Sequence, residues 1–484
     1  LSDDQYVQAV SDLLPGVAVA AAPTPGRNPY EFVDTPGKLP VTGGLTPLLR
    51  GSAKSAARSA VENLGELVPC AAGETSQACA TRFLDRFAPR AFRRPWLDGE
   101  RERFLSLYAQ GARGSHADGI RLVLEAVLQS PSLLYRVELG GGALPTTPEA
   151  RKLSSHELAS ALSFFLLGSI PDEQLWQTAL DGALARPEVH AAEVERLLAL
   201  PRVQAHLSRV LLRWLKLERI LVSERAVADF PGFQSLRQPM LDESRRFFSR
   251  LLTSSGTIGQ LFTSRTAELD PPLARFYGLE SAAETGLITA ELPIEQRAGI
   301  LTHASLIGSI KASNRSVHRG LFVFRELLCG VVPPPPPGIE TEPPGMELHG
   351  ERELAQYRAS QATCGGCHGM FDGIGLSYEH YDALGQYRSV DTSGAAIDAT
   401  ASVLLDGKPI TVGSVTELSE LMAQSPQVRS CIARQLMSYA AGESASEECA
   451  AGVSRRVHDA GDSLLELFRG IATDAHFVTR EVQP

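Results

Sequence analysis

The sequence predicts an all-α protein built as a multi-helical body. Three observations carry this. Apolar residues recur at helical spacing through most of the chain, β-type alternation does not persist beyond a few residues, and the helical runs open on capping residues and stop at Gly or Pro. Ser2 and Gln5 form a capping box ahead of the stripe Tyr6, Val10, Leu13 and Leu14, and Pro15-Gly16 ends that run. Ser154 and Glu157 repeat the device before Leu158, Ala161, Leu162, Phe165 and Leu166, with Gly168 as the stop. Further helices are expected over residues 81–88, 98–110, 117–131, 191–199, 202–218, 239–253, 294–310, 316–329, 351–361, 415–423, 426–440 and 462–472.

Clusters of Pro and Gly near residues 15–50, 139–150 and 330–346 divide the chain. The expected regions are an N-terminal helical region (1–150), a central helical domain (151–293), a helical segment with a proline-rich strap (294–345) and a C-terminal portion (346–484). Pro333 to Pro337, followed by Pro343-Pro344, should hold an extended polyproline conformation and act as a semi-rigid spacer. There is no strict internal repeat.

A net charge of -10 and the lack of a dense basic stretch argue against nucleic acid or an anionic membrane as partner, because neither counterion release nor surface attraction is available. The longest apolar runs, such as Ala159 to Ile170, fall short of the about 18 residues that span a bilayer. Starting at Leu1 and entering a helical pattern at once, the chain is expected to have lost a signal segment or a lipid-anchored leader.

Seven cysteines are present. Cys70 and Cys79 lie close together in a Gly/Ser/Thr-containing loop, and Cys431 and Cys449 flank an expected turn. These two pairs are the expected disulfides, with buried thiols as the alternative, and Cys329 is left over.

Cys364-Gly365-Gly366-Cys367-His368 is the C-x-x-C-H pattern of covalent haem attachment. Two thiols three positions apart add to the two haem vinyl groups, and the following imidazole becomes the proximal iron ligand. The paired glycines keep that turn clear of the porphyrin. A thioredoxin-like redox pair would need a preceding strand, and a zinc site would need a second ligand pair; neither pattern is present. The expected cofactor is haem c, and the C-terminal portion is expected to be cytochrome c-like.

The chain resembles the large planctomycete and myxobacterial cytochrome-like proteins, strings of uncharacterised domains ending in a C-x-x-C-H segment. The resemblance runs from Leu1–Leu14 through Phe87-Ala88-Pro89-Arg90-Ala91-Phe92-Arg93-Arg94-Pro95 and the Leu158–Leu166 run. It continues through Arg297–His303, Val317-His318-Arg319-Gly320, the proline run and Cys364 to Arg388. It implies an exported, mostly helical protein with a covalent haem. After the haem motif the family pattern usually reads Asp-Pro, whereas Asp372-Gly373 stands here, a change expected to loosen the turn.

The sixth iron ligand decides the chemistry: Met or His suits electron transfer, and an open position admits a substrate. His303 is placed with Ile300, Ile307 and Ile310 on one helical face, either as a hydrogen-bonded core histidine or as a second iron ligand beside His368. Met422, His318 and His380 are further candidates, while Met370 follows His368 too closely. With none of them standing out, a weak or exchangeable ligand is expected. Arg388 and Arg358 are candidate partners for haem propionates, with solvated surface arginine as the ordinary alternative. Asp372, Glu379 and Asp382 suit turn capping or solvation better than proton handling.

No dinucleotide loop, nucleophile elbow or His-Glu-x-x-His zinc motif competes with this site. The expected function is an exported monohaem redox protein, periplasmic or extracellular, acting in electron transfer or as a haem-based oxidoreductase. Its partner would be a redox protein or a small-molecule substrate. The alternative is a cell-surface binding or scaffold protein in which the haem is structural.

Overall fold

The computed structural model describes residues 1–19, 45–141, 150–223, 230–279, 285–334, 350–442 and 444–481. Most of the expected proline strap lies outside these residues. Helices dominate, as the periodicity predicts, and strands occur as three two-stranded antiparallel pairs among the described residues. No helix among them is long and apolar enough to cross a membrane.

The chain divides into two compact units made of separate stretches. Leu1–His206, Ser438–Ser444 and Ile471–Pro484 form one, and Leu207–Met437 with Ala445–Gly470 form the other. In the first, the helix Asp3–Leu13 is capped by the predicted Ser2–Gln5 box. Its Tyr6 and Val10 enter a core with Leu84 and Phe87 of the helix Ser76–Phe92 and with Val123, Leu124 and Val127 of the helix His116–Leu128. The helix Leu45–Glu62, where no helix is expected from the sequence, reaches the same core through Ala53, Ala56, Ala57 and Ala60. Small side chains give a weak apolar periodicity, so this face did not stand out. The helix Ser155–Leu166 opens on the Ser154–Glu157 box, and its sides are buried nearly all round.

One device in this unit recurs in the other. Arg93 ends its helix in the left-handed conformation at φ 58° and is only 4% exposed. Its guanidinium donates to the carbonyls of Ala91, Ser132, Leu133 and Tyr135 at 2.8–3.2 Å, so a buried cation is satisfied by main-chain oxygens.

In the second unit the helix Phe233–Thr253 begins before Pro239 rather than at it. The expected helix over 294–310 is not continuous, which corrects the placing of His303. Gly299 takes φ 54°, a Cβ there would lie 2.3 Å from the Leu261 carbonyl, and Arg297 Nη1 captures the Thr302 carbonyl at 2.5 Å. The chain therefore makes a single 3-10 turn, Ile300–Thr302, passes through His303 in extended conformation, and starts a new helix at Ala304–Ser309. His303 does not share one helical face with Ile300, Ile307 and Ile310.

The disulfides follow the expectation in part. Cys70 and Cys79 are bonded, with Cα atoms 5.3 Å apart. Cys431 pairs with Cys329 rather than Cys449, at a Cα separation of 5.4 Å. The reason is the end of the helix Arg315–Glu326: Cys329 turns left-handed at φ 53° and meets buried Cys431 on the helix Pro426–Ala441. Cys449 lies outside any disulfide, in the first turn of the helix Glu447–Asp459.

Non-reducing peptide mapping should link Cys70 to Cys79 and Cys329 to Cys431 and should find Cys449 as a thiol. Because the second bridge closes a loop of 102 residues, Cys329→Ser should lower stability to chemical denaturation by about 4 kcal/mol. A Cys431–Cys449 peptide would contradict this arrangement.

Candidate functional site

The C-x-x-C-H segment is held by the close meeting of two helices. Arg315–Glu326 lies against the short helix Asp372–Leu376 with the backbones almost in contact. A Cβ on Gly320 would sit 2.0 Å from the Phe371 carbonyl, and one on Gly375 would sit 1.7 Å from the Ser316 carbonyl. Only hydrogen fits at either place. Gly373 serves the same end, because a Cβ there would lie 1.9 Å from the carbonyl of Ser402. The Asp-Gly departure thus admits a close neighbour, Ala401–Leu405, rather than loosening the turn.

Beyond this helix the chain is gripped by Arg319, which is 2% exposed. Its Nη1 donates to the carbonyls of Tyr378 at 3.2 Å and Tyr381 at 3.0 Å, and its Nη2 donates to that of Asp382. Burial lowers its pKa to about 10, so it remains a cation at neutral pH. Arg297 adds a second clamp: Nη2 donates to Gly385 O at 2.8 Å, and the guanidinium lies 3.9 Å from the centre of the Tyr277 ring. Tyr381 hydroxyl completes the attachment by donating to Gln296 O.

On this support stands the short helix Gly365–His368, preceded by Cys364. Cys364 and Cys367 are both thiols and both partly exposed. Gly365 packs on the preceding helix, where a Cβ would come within 2.7 Å of Ala359 O, whereas nothing lies within 4 Å of the same position on Gly366. His368 has 22% of its side chain exposed. Its Nδ1 is 3.0 Å from Asp372 Oδ1, which leaves Nε2 as the nitrogen available to a metal.

The ring is the start of a longer chain of contacts. Asp372 Oδ2 accepts from Arg358 Nε at 2.8 Å, Arg358 Nη2 donates to Ser316 Oγ at 3.1 Å, and Ser316 Oγ donates to Glu351 Oε2 at 2.8 Å. Glu351 also accepts the backbone N–H groups of Arg315 and Ser316. Although burial opposes it, these hydrogen bonds hold the Glu351 carboxyl below its usual range.

The other sequence candidates are placed as follows. Arg358 is committed to Asp372 and Ser316. Arg388 donates through Nη2 to Glu379 O at 3.2 Å, while its buried Nε has no hydrogen-bond partner among the described residues. The nearby Glu379 has an unpartnered buried Oε1, and burial raises its pKa. His380 bonds through Nδ1 to Arg388 O at 2.9 Å. Met422 is 1% exposed on the helix Val415–Gln424.

His303 sits in a different setting from His368. Its Nδ1 is 2.8 Å from Ser244 Oγ, which is 2.6 Å from Ser305 Oγ, and the ring meets Phe247 edge-on. Glu243 Oε2 lies 4.0 Å away and accepts from the Tyr277 hydroxyl at 2.7 Å. Burial dominates both titrating groups, lowering His303 to about 3 and raising Glu243 to about 7.

Three stretches of the chain match known family models. Residues 79–138 match PSD5, described as a protein of unknown function (DUF1595); residues 153–279 match PSD4, a protein of unknown function (DUF1592); and residues 297–391 match PSCyt3, a protein of unknown function (DUF1588). These are planctomycete cytochrome-like multi-domain families, in agreement with the resemblance read from the sequence. No curated protein and no solved structure matches the chain. The PSCyt3 match contains Arg297, Arg319, the C-x-x-C-H segment and Arg388, so the clamps and the motif fall in one matched stretch.

Asp372, Ser316 and Glu351 are what the sequence reading missed as parts of one network. The only signal for Asp372 was its spacing, four residues after His368 on a helical path, where two side chains face each other.

The buried histidine and glutamate give a pH signature with opposite signs. His303, lowered from 6.5, contributes stability that is present above pH 6.5 and lost as pH falls towards 3; Glu243, raised from 4.5, contributes stability that is present below pH 4.5 and lost as pH rises through 7. Tyr277, Arg246, Arg250 and Arg297 are the other titratable or charged groups acting on this pair. In Glu243→Gln, unfolding free energy should gain on the wild type as pH is raised from 4.5 to 7 and then hold a constant lead. Parallel stability curves in urea titrations across that range would contradict the assignment.

Proposed function

We propose that the chain is an exported monohaem c-type redox protein that carries haem on Cys364 and Cys367 with His368 as the proximal ligand. The observation that carries this is the state of the motif: two thiols three residues apart, followed by an imidazole whose Nδ1 is already engaged and whose Nε2 is not. Four other cysteines are paired in disulfides, which fits an oxidising periplasmic or extracellular compartment. The cytochrome-like name of the PSCyt3 family agrees with the haem reading.

The residues present fit the cofactor on their own chemistry. Cys364 and Cys367 would hold the vinyl-derived carbons, His368 Nε2 the iron, and Arg388, with its unpartnered buried Nε, a propionate. Haem bound there supplies one-electron chemistry at iron. The protein's share is to hold the surroundings of that iron: Asp372 orients His368, and Arg319 and Arg297 hold the chain that follows it. Met422 is packed in a core and His303 is bonded to Ser244, which supports a weak or exchangeable sixth ligand. The function is then electron transfer with a redox protein or oxidation of a small molecule at the open side.

Visible spectra of the matured protein test this reading. Colour should survive acidified-solvent extraction, ferric protein should show a high-spin or mixed spectrum, and ferrous protein should bind carbon monoxide readily. Extraction of all the colour would overturn covalent attachment. A low-spin spectrum unmoved by carbon monoxide and lost in His303→Ala would instead make His303 the sixth ligand.

A further inference from the structure

Asp372 connects the iron-binding imidazole to the body of the protein. It is 6% exposed and stands at the first position of the helix Asp372–Leu376, directly after the N-cap Phe371. Both of its oxygens meet side chains, Oδ1 with His368 Nδ1 at 3.0 Å and Oδ2 with Arg358 Nε at 2.8 Å.

Resting on the haem reading above, we propose that Asp372 is a positioning residue for the proximal ligand. Its carboxylate accepts the Nδ1–H of His368, fixes the tautomer that presents Nε2, and gives the imidazole anionic character that favours ferric over ferrous iron. A neutral imidazole has one N–H, so an acceptor held at Nδ1 leaves the lone pair on Nε2. A backbone carbonyl would select the same tautomer. A carboxylate does more, because its charge draws the proton and raises the basicity of the nitrogen opposite.

Arg358 and its contacts fix the position of that charge. The guanidinium is bonded at once to Asp372 and to Ser316, and Ser316 is held by Glu351 and by the Gly375 contact on its carbonyl. Asp372 thus cannot rotate away without breaking a bond to a partly buried cation. Arg358 also moderates the effect, since its own charge pulls electron density from the carboxylate. The two residues set the iron in opposite directions.

The test is a spectroelectrochemical titration of the full-length protein carrying its covalent haem. Asp372→Asn should shift the ferric-to-ferrous ratio at a fixed ambient potential at least tenfold towards ferrous, which is 59 mV for a one-electron couple. Asp372→Glu should recover most of the wild-type value. Arg358→Gln, which keeps the carboxylate and removes the cation, should shift the ratio towards ferric, a sign that mere loosening of the site does not produce. Arg358→Gln also keeps the proposal testable if Asp372→Asn does not fold. Unchanged potentials in variants that keep their covalent haem, or shifts of the same sign in both, would overturn the role of Asp372. Wild-type protein that takes up no covalent haem would overturn the haem reading itself, a result separate from either.

Discussion

A buried cation with no carboxylate on its hydrogen-bonding atoms organises the C-terminal half of the matched PSCyt3 stretch. Burying a guanidinium is costly unless its donors are met, and Arg319 meets them with the carbonyls of Tyr378, Tyr381 and Asp382. Those carbonyls lie in a run of turns, where Tyr381 N–H also donates to Tyr378 O and Gly385 N–H to Asp382 O, and the cation takes up the acceptor capacity the turns leave over. Arg297 does the same for Thr302 and Gly385, and Arg93 for four carbonyls in the other unit. The requirement on the sequence is strict: a lysine would bring a single nitrogen where the arginine brings a planar fork.

From that clamp the geometry of the motif follows. Arg319 and Gly320 are neighbours on one helix, so the cation that fixes the loop and the glycine that admits the Phe371 carbonyl are placed together. Bringing the backbones this close carries Ser316 to Arg358 and Arg358 to Asp372, and so the orientation of His368 depends on packing several residues away. The thiols stand apart from this network and are partly exposed, and nothing lies within 4 Å of where a Cβ on Gly366 between them would sit. A rigid ring and accessible sulfurs are what covalent attachment needs.

Helical periodicity and capping boxes made the fold class legible, as the boxes at Ser2 and Ser154 illustrate. The motif was legible too, because its chemistry depends on spacing within five residues. Features that depend on distant partners were not. Cys431 met Cys329 because of a left-handed residue at a helix end, which no local spacing reveals. Periodicity carried a helix through 294–310, but Gly299 and the Arg297 side chain interrupt it with tertiary contacts. The hairpin Ala401–Leu405 with Lys408–Val412 did leave a local trace, alternating burial in its first strand and Asp406-Gly407 at its turn, both with positive φ. Asp372 looked like a surface or capping acid, since nothing in sequence announces that Arg358 will reach it.

The most direct test of the account is tandem mass spectrometry of a protease digest of the matured protein. The account predicts one peptide spanning Cys364 to His368 that carries a single haem mass, with both cysteines resistant to alkylation before and after reduction. The same peptide without haem, with Cys364 and Cys367 alkylated as thiols or joined to each other, would contradict it.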